Sequence, residues 1–185
     1  MDTYRWAGAD GHVVDAPYDE KRDRLTQEEA RDEVIEAIQN LGRKVECIKI
    51  ENGIDSLYKF NIDDNEHPLE FYACIREMTP GGRSSLKDEQ RIQPQAQMVN
   101  YIYNKIQEGK IAVLLGVYKR ENETIICAWK QNESNASNET TGISKQIKIN
   151  SIAIAMKEGF VQHDKGKGEF ACAFRKQFIL FYVRN

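Results

Sequence analysis

Apolar residues recur along this chain with two periods. A helical stripe comes first. Thr26-Gln27-Glu28-Glu29 has the form of a capping box, in which the Thr26 hydroxyl and the Glu29 carboxylate satisfy free backbone N–H groups, so a helix should start at Thr26. Ala30, Val34, Ile35, Ile38 and Leu41 then share one face, and Gly42 suits the helix end. Three strand-like runs follow, at 45–51 (VECIKIE), 57–62 (LYKFNI) and 69–75 (LEFYACI). Asn52-Gly53 and Asp63-Asp64-Asn65 separate them with turn chemistry, which predicts an antiparallel meander.

A second helical stripe, Ala96, Val99, Ile102, Tyr103 and Ile106, runs through 94–108, with Pro94 in its first turn and Gly109 at its end. Residues 111–118 (IAVLLGVY) and 124–130 (TIICAWK) are continuous apolar runs and should be central strands. Residues 131–144 lack periodicity and read as a long polar loop. A short strand at 146–149 precedes a third helix near 151–158, capped by Asn150 or Ser151 and closed by Gly159. The turn at 164–168 leads to a strand at 169–174, and 177–183 suits either a last strand or a docked helix. Residues 1–24 form an N-terminal arm tethered by Trp6 and Val13-Val14, and 25–185 make a single domain. The order of elements is that of an α+β fold with a mostly antiparallel sheet. About seven short strands of this kind suit an open barrel with flanking helices.

Composition narrows the picture. Of 185 residues, 41% are hydrophobic, enough for one ordinary core, and 30% are charged. No apolar run approaches the roughly 18 residues of a membrane span. The N-terminus lacks the basic and apolar regions of a secretory signal. Cys47, Cys74, Cys127 and Cys172 each lie in an apolar stretch, without CxxC or Cys/His ligand spacing. They read as reduced buried thiols of a cytoplasmic protein. The sequons at Asn132, Asn135 and Asn138 then simply mark an exposed loop.

The net charge is −3, but it is unevenly spread. Residues 1–70 hold 9 Lys/Arg against 18 Asp/Glu, and residues 71–185 hold 17 against 11. A basic half beside an acidic one is a hint of polyanion binding.

Two loops carry the candidate chemistry. Residues 76–93 (REMTPGGRSSLKDEQRIQ) join a strand to a helix with far more side-chain donors than a connection needs. Arg76, Thr79, Arg83, Ser84, Ser85 and Lys87 suit phosphate oxygens and base edges, with Arg83 projecting from the Gly81-Gly82 turn. Asp88, Glu89 and Arg91 are expected to pair or cap, anchoring the tip through buried Ile92. Residues 131–145 are the second loop, with Lys130 just before it and Asn132, Ser134, Asn135, Ser137, Thr140, Thr141 and Lys145 within it as the candidate contacts. Loops this long are often functional. Two of them leaving the same end of one sheet would clamp a duplex in its major groove. Lys165, Lys167, Arg175 and Lys176 offer further phosphate contacts or a solvated face.

Catalytic signals are sparse. His12, His67 and His163 are far apart, and GxSxG, HExxH, Walker A and GxGxxG are all missing, so neither a cofactor nor a metal is expected. A metal-dependent restriction endonuclease, the alternative, would need Glu70, Glu77 and Lys130 to converge. Two further alternatives are a reader of modified cytosine, with an aromatic-lined pocket, and a protein-interaction module.

The segment RSSLKDEQRIQ, the LLGVY…CAWK pair and the GF…F.CAF…F ending resemble the B3-like N-terminal DNA-binding domains of McrB-type restriction proteins of the LlaJI class. The resemblance covers about residues 69–185. It implies a seven-stranded open barrel that binds site-specific duplex DNA through two arms, the loops at 76–91 and 131–145. It also implies a motor and a nuclease elsewhere in a bacterial defence system. The acidic segment 1–70 fits it poorly.

Overall fold

Strands as uniformly apolar as those near 112–129 must be covered on both faces, and the architecture follows from that need. The computed structural model describes residues 3–19, 23–50, 55–64, 67–81, 84–130, 143–166 and 168–185. In chain order the elements are β1 (Thr3–Ala7), β2 (Val13–Pro17), α1 (Gln27–Gln39), β3 (Lys44–Lys49), β4 (Leu57–Asp63) and β5 (Leu69–Glu77). There follow β6 (Thr79–Pro80), β7 (Glu89–Ile92), α2 (Ala96–Gln107), β8 (Ala112–Arg120) and β9 (Glu123–Trp129). The last are β10 (Lys145–Lys148), α3 (Ile149–Glu158), β11 (Phe160–Gly166), β12 (Glu169–Arg175) and α4 (Ile179–Arg184).

The main sheet has seven strands in the order β11-β12-β9-β8-β5-β4-β3. The expected meander β3-β4-β5 is present and antiparallel. One pair, β5 and β8, is parallel, with Tyr72 opposite Ala112 and Glu77 opposite Val117. A parallel pair needs a long crossover, and here the crossover holds β6, β7 and α2. The mixed α+β class with mostly antiparallel strands is as expected. Among the described strands the sheet stays open, with β11 and β3 as its edges and no closed barrel.

Alternate residues of the central strands feed two layers. Val113, Leu115 and Val117 of β8 join Ile126 and Ala128 of β9 on the face covered by α1 and α4. On the opposite face, Leu114 packs with Met98 and Ile102 of α2. Tyr118, Ile125, Cys127 and Trp129 pack there with Ile152 and Met156 of α3 and with Trp6. The Thr26 capping box forms as expected, with Glu29 Oε2 accepting from Thr26 N at 2.7 Å. Inside α1, buried Glu33 accepts from Lys119 Nζ at 2.5 Å and Thr124 Oγ1 at 2.8 Å, fastening the helix to the β8–β9 hairpin.

Several local expectations are corrected. The arm contains a β1–β2 hairpin, whose anchors, Tyr118 and Asp88, are far along the chain and left little trace in a short polar segment. Trp6 tethers it, only 3% exposed, and the buried Tyr118 hydroxyl accepts from Ala7 N at 2.9 Å and donates to Ala7 O at 3.1 Å. Helix α3 starts at Ile149 with Lys148 as N-cap, so neither Asn150 nor Ser151 caps it. The Ile149 N–H instead donates to the Asp88 carbonyl at 2.7 Å. Strand β11 was unforeseen, because most of its sequence is polar and exposed; pairing with β12 and the packing of Phe160 against Phe174 and Phe178 hold it. The C-terminal segment resolves to a docked helix, α4. Among the described residues no helix is long and apolar enough to cross a membrane.

Candidate nucleic-acid interface

The polar stretch after β5 is not an open loop along its whole length. Its roots fold into β6 and β7, and β7 pairs with β10, the strand that ends the second loop. The result is a second sheet of three short strands, β10-β7-β6, lying on the α3 face of the main sheet. Its seat is made by Gly116 of β8. A Cβ there would collide with Met78 Sδ and stand 2.9 Å from Ile92 Cγ2. Only glycine lets the strand pass this close beneath Met78 and Ile92.

Opposed residues in a ladder share a face, and burial sorts the two faces here. Pro80, Gln90, Ile92 and Ile147 are buried toward the core. Thr79, Arg91 and Gln146 are in register across the three strands, half-buried on the outer side, and Glu89 faces exposed Lys148 beside them. The outer face is thus a row of hydroxyl, guanidinium, amide, carboxylate and ammonium groups. Three consecutive β7 residues carry buried polar atoms without a hydrogen-bond partner among the described residues: Glu89 Oε2, Gln90 Oε1 and Arg91 Nε. A buried polar atom left unpaired costs about 1–3 kcal/mol.

Anchoring of the first loop is as anticipated in kind, but with different partners. Asp88 pairs with Arg5 of the hairpin at 2.7 Å rather than with Arg91. Gln90 Nε2 donates to the Arg5 carbonyl at 3.4 Å. Around the small sheet, Lys87 and Lys148 are exposed, and among the described residues neither they nor Arg91 has an ion-pair partner. His163 and Lys165 of β11 line a cleft of about 130 Å³ with Glu89, Gln146 and Lys148. Lys165 Nζ also donates to the Gln146 carbonyl at 3.0 Å.

The two loops do not leave the same end of the main sheet. Strand β5 runs parallel to β8, and β9 runs antiparallel to it, so the first loop departs beside Val117 and the second beside Leu114. They meet again on the small sheet. Because β7 and β10 are antiparallel, the first loop enters at the Glu89 end and the second at the Lys145 end. Four residues of strand separate those ends by roughly 10–13 Å.

The expected contact residues divide accordingly. Thr79, Ser85 and Lys87 belong to the small sheet and its exposed tip, and the backbone of Ser84 opens a single 3-10 turn there. Arg76 lies apart on β5, half-buried, donating to Ser56 Oγ at 3.1 Å. Lys145 is on the core side of β10, paired with Glu169 at 3.0 Å. Lys130 is exposed at the end of β9. Arg83, Asn132, Ser134, Asn135, Ser137, Thr140 and Thr141 lie outside the described residues, as does Lys167. Arg175 and Lys176 are committed internally, to the Met156 carbonyl and to Glu33 and Glu36. Arg91, Gln146, Lys148 and His163 were missed as site residues. The in-register row appears only once β6, β7 and β10 are paired.

The carboxylates of the nuclease alternative do not converge. Glu70 and Glu77 stand at opposite ends of β5, about 23 Å apart at strand rise. Glu70 is bound to Lys59 at 2.8 Å, and the hydrogen bond from Lys59 holds its carboxyl below the ordinary range. Burial pushes the thiols up, Cys172 to about 11 and Cys74 to about 12, so both are protonated and inert at neutral pH.

A family model described as methylase-associated X1 matches residues 69–183. The chain belongs to the methylase-associated X1 family. No curated protein and no solved structure matches it. Membership in the methylase-associated X1 family suggests a role in restriction–modification defence. The matched segment begins at the first residue of β5 and ends within α4, so it contains the small sheet, both loops and β11. The hairpin, α1, β3 and β4 precede it.

Proposed function

We propose that this chain is a site-specific duplex DNA-binding module of a restriction–modification system, reading the major groove with the small sheet and the two loops that enter it. The observation that carries this reading is the in-register row Thr79, Arg91 and Gln146, with a polar loop entering at each end. Arginine grips guanine bidentately, glutamine grips adenine, and threonine meets either an edge or a thymine methyl. A β-ribbon fits the major groove, about 12 Å wide, which matches the spacing of the loop roots. Lys87, Lys148 and Lys165 would hold phosphates, and so would the loop residues expected from sequence. This keeps the two-armed grip of the B3-like resemblance on an open sheet. Translocation and cleavage then belong to a motor and a nuclease in other subunits.

Selection from random duplexes should return one short sequence, bound with strong salt dependence. Arg91→Ala should weaken that duplex by about 1–3 kcal/mol and relax the choice of base at one position. Arg83→Ala should cost a similar amount. If the selected duplex and a scrambled one bind the wild type equally, the site-specific reading fails.

A further inference from the structure

At the edge of the main sheet, on the face opposite the small sheet, a cavity of about 490 Å³ opens between the β11–β12 hairpin and α4. Ordinary small-ligand sites span about 300–1,000 Å³. Its walls are rings: Phe160 and Phe170 from the hairpin, Phe181 and Tyr182 from the helix. Phe181 is 57% exposed although it packs edge-on against Phe160 at 5.8 Å.

The polar groups are few. Gln162 and Asn185 are exposed amides with capacity to spare: Gln162 Oε1 accepts from Cys172 Sγ at 3.9 Å and Asn185 Nδ2 donates to the Phe181 carbonyl at 2.8 Å, which leaves the Gln162 amino group and the Asn185 oxygen open. The Tyr182 hydroxyl has no hydrogen-bond partner among the described residues. Lys130, Tyr182 and Asn185 also line an adjoining cavity of about 210 Å³. Lys130 is the last described residue before the second polar loop, so one wall of the cavity adjoins the root of a proposed DNA arm.

Flat rings on several sides, amides that both donate and accept, and a cation at the entrance form a receptor for a planar heteroaromatic group bearing a phosphate. We infer that this cavity receives a single nucleobase unstacked from the bound DNA. The Phe and Tyr rings stack on it, Gln162 and Asn185 reach its hydrogen-bonding edge, and Lys130 holds the flanking phosphate. Enzymes and readers that extrude a base recognise it through this combination of stacking and edge contacts. The inference rests on the DNA-binding reading and adds a second place of contact, distinct from the small sheet.

The test uses the full chain and a short duplex from the selection, prepared fully paired and with one mismatch placed at each position in turn. A mismatch lowers the cost of unstacking, so at one position it should tighten binding by about tenfold. Phe181→Ala, at an exposed position where folding should survive, should abolish that preference while retaining salt-dependent binding of the paired duplex. Gln162→Ala should reduce it without changing the thermal midpoint. Binding of the paired duplex with no mismatch preference at any position overturns the cavity assignment and leaves the duplex-binding reading standing. No binding of any duplex overturns both. Saturable binding of free nucleoside monophosphates, lost in Phe181→Ala, with no mismatch effect on DNA makes the cavity a small-molecule site instead.

Discussion

Gly116 shows how one missing side chain positions the candidate interface. The small sheet sits on the main sheet because Met78 and Ile92 occupy the space a Cβ would take. Gly116→Ala should therefore cost about 1–3 kcal/mol, read as a shift in the urea midpoint, and should weaken DNA binding through misplacement of β7. A midpoint unchanged from wild type would mean that the seat is not tight. Glu33 is a second such residue. Burial works to raise its carboxyl, but hydrogen bonds from Lys119 and Thr124 and the charges of Lys119 and Lys176 outweigh it, so the group lies below the ordinary range. A depressed carboxyl adds stability above its unfolded value, about 4.3, and loses that contribution as pH falls through the lower folded value. Stability should drop below about pH 4.3, and Glu33→Gln should flatten this acid limb while lowering stability at neutral pH by about 1–3 kcal/mol. Identical acid limbs for the two proteins would assign the acid sensitivity elsewhere.

At the scale of elements, the N-terminal hairpin acts as a clamp on the site. It grips β8 through Tyr118 and β7 through the Arg5–Asp88 pair and the Gln90 amide. Trp6 stacks on Tyr18 at 5.8 Å and lies under the Arg120 guanidinium at 4.2 Å. Trp6→Ala should cost about 3–5 kcal/mol in thermal or urea unfolding, and loss of less than a quarter of that would show that the hairpin is an accessory. The hairpin also marks the limit of what the sequence reveals. Helix α1 was legible because its capping box and apolar stripe are local signals, and β8 and β9 were legible because a doubly covered strand is apolar throughout. Strands β1, β2 and β11 were not, since their mostly polar residues carry little pattern and are fixed by cross-strand register and by docking on distant residues. The parallel β5–β8 pair reversed the expected relation of the two loops for the same reason: strand direction is set by the crossover, which no residue pattern in either strand records. Expected contacts such as Lys87 and Thr79 were visible as an excess of donors. The row of Arg91 and Gln146 was not, because it exists only across three strands.

Over the whole molecule, charge and family boundaries nearly coincide. The segment matched by the methylase-associated X1 family starts at Leu69, where the acidic part of the sequence gives way to the basic part. In the first half cations are often bound internally, as in the Lys49–Asp55, Lys59–Glu70 and Arg43–Asp64 pairs. In the second half Lys105, Lys119 and Lys145 are paired likewise, but Lys87, Lys148 and Arg91, around one small sheet, have no carboxylate partner among the described residues. A net charge of −3 does not by itself oppose the proposed polyanion binding, because the acidic excess lies in residues 1–70 and the basic excess in residues 71–185. Each phosphate neutralised releases counterions, so log affinity should fall with log salt by about 0.9 per contact. Replacing both Lys87 and Lys148 by alanine should reduce that slope by about 2 and weaken specific and scrambled duplexes alike, leaving their ratio unchanged. Arg91→Ala should instead change the ratio. A double lysine variant with the wild-type slope would move the phosphate contacts off the small sheet, and with them the proposed direction of approach.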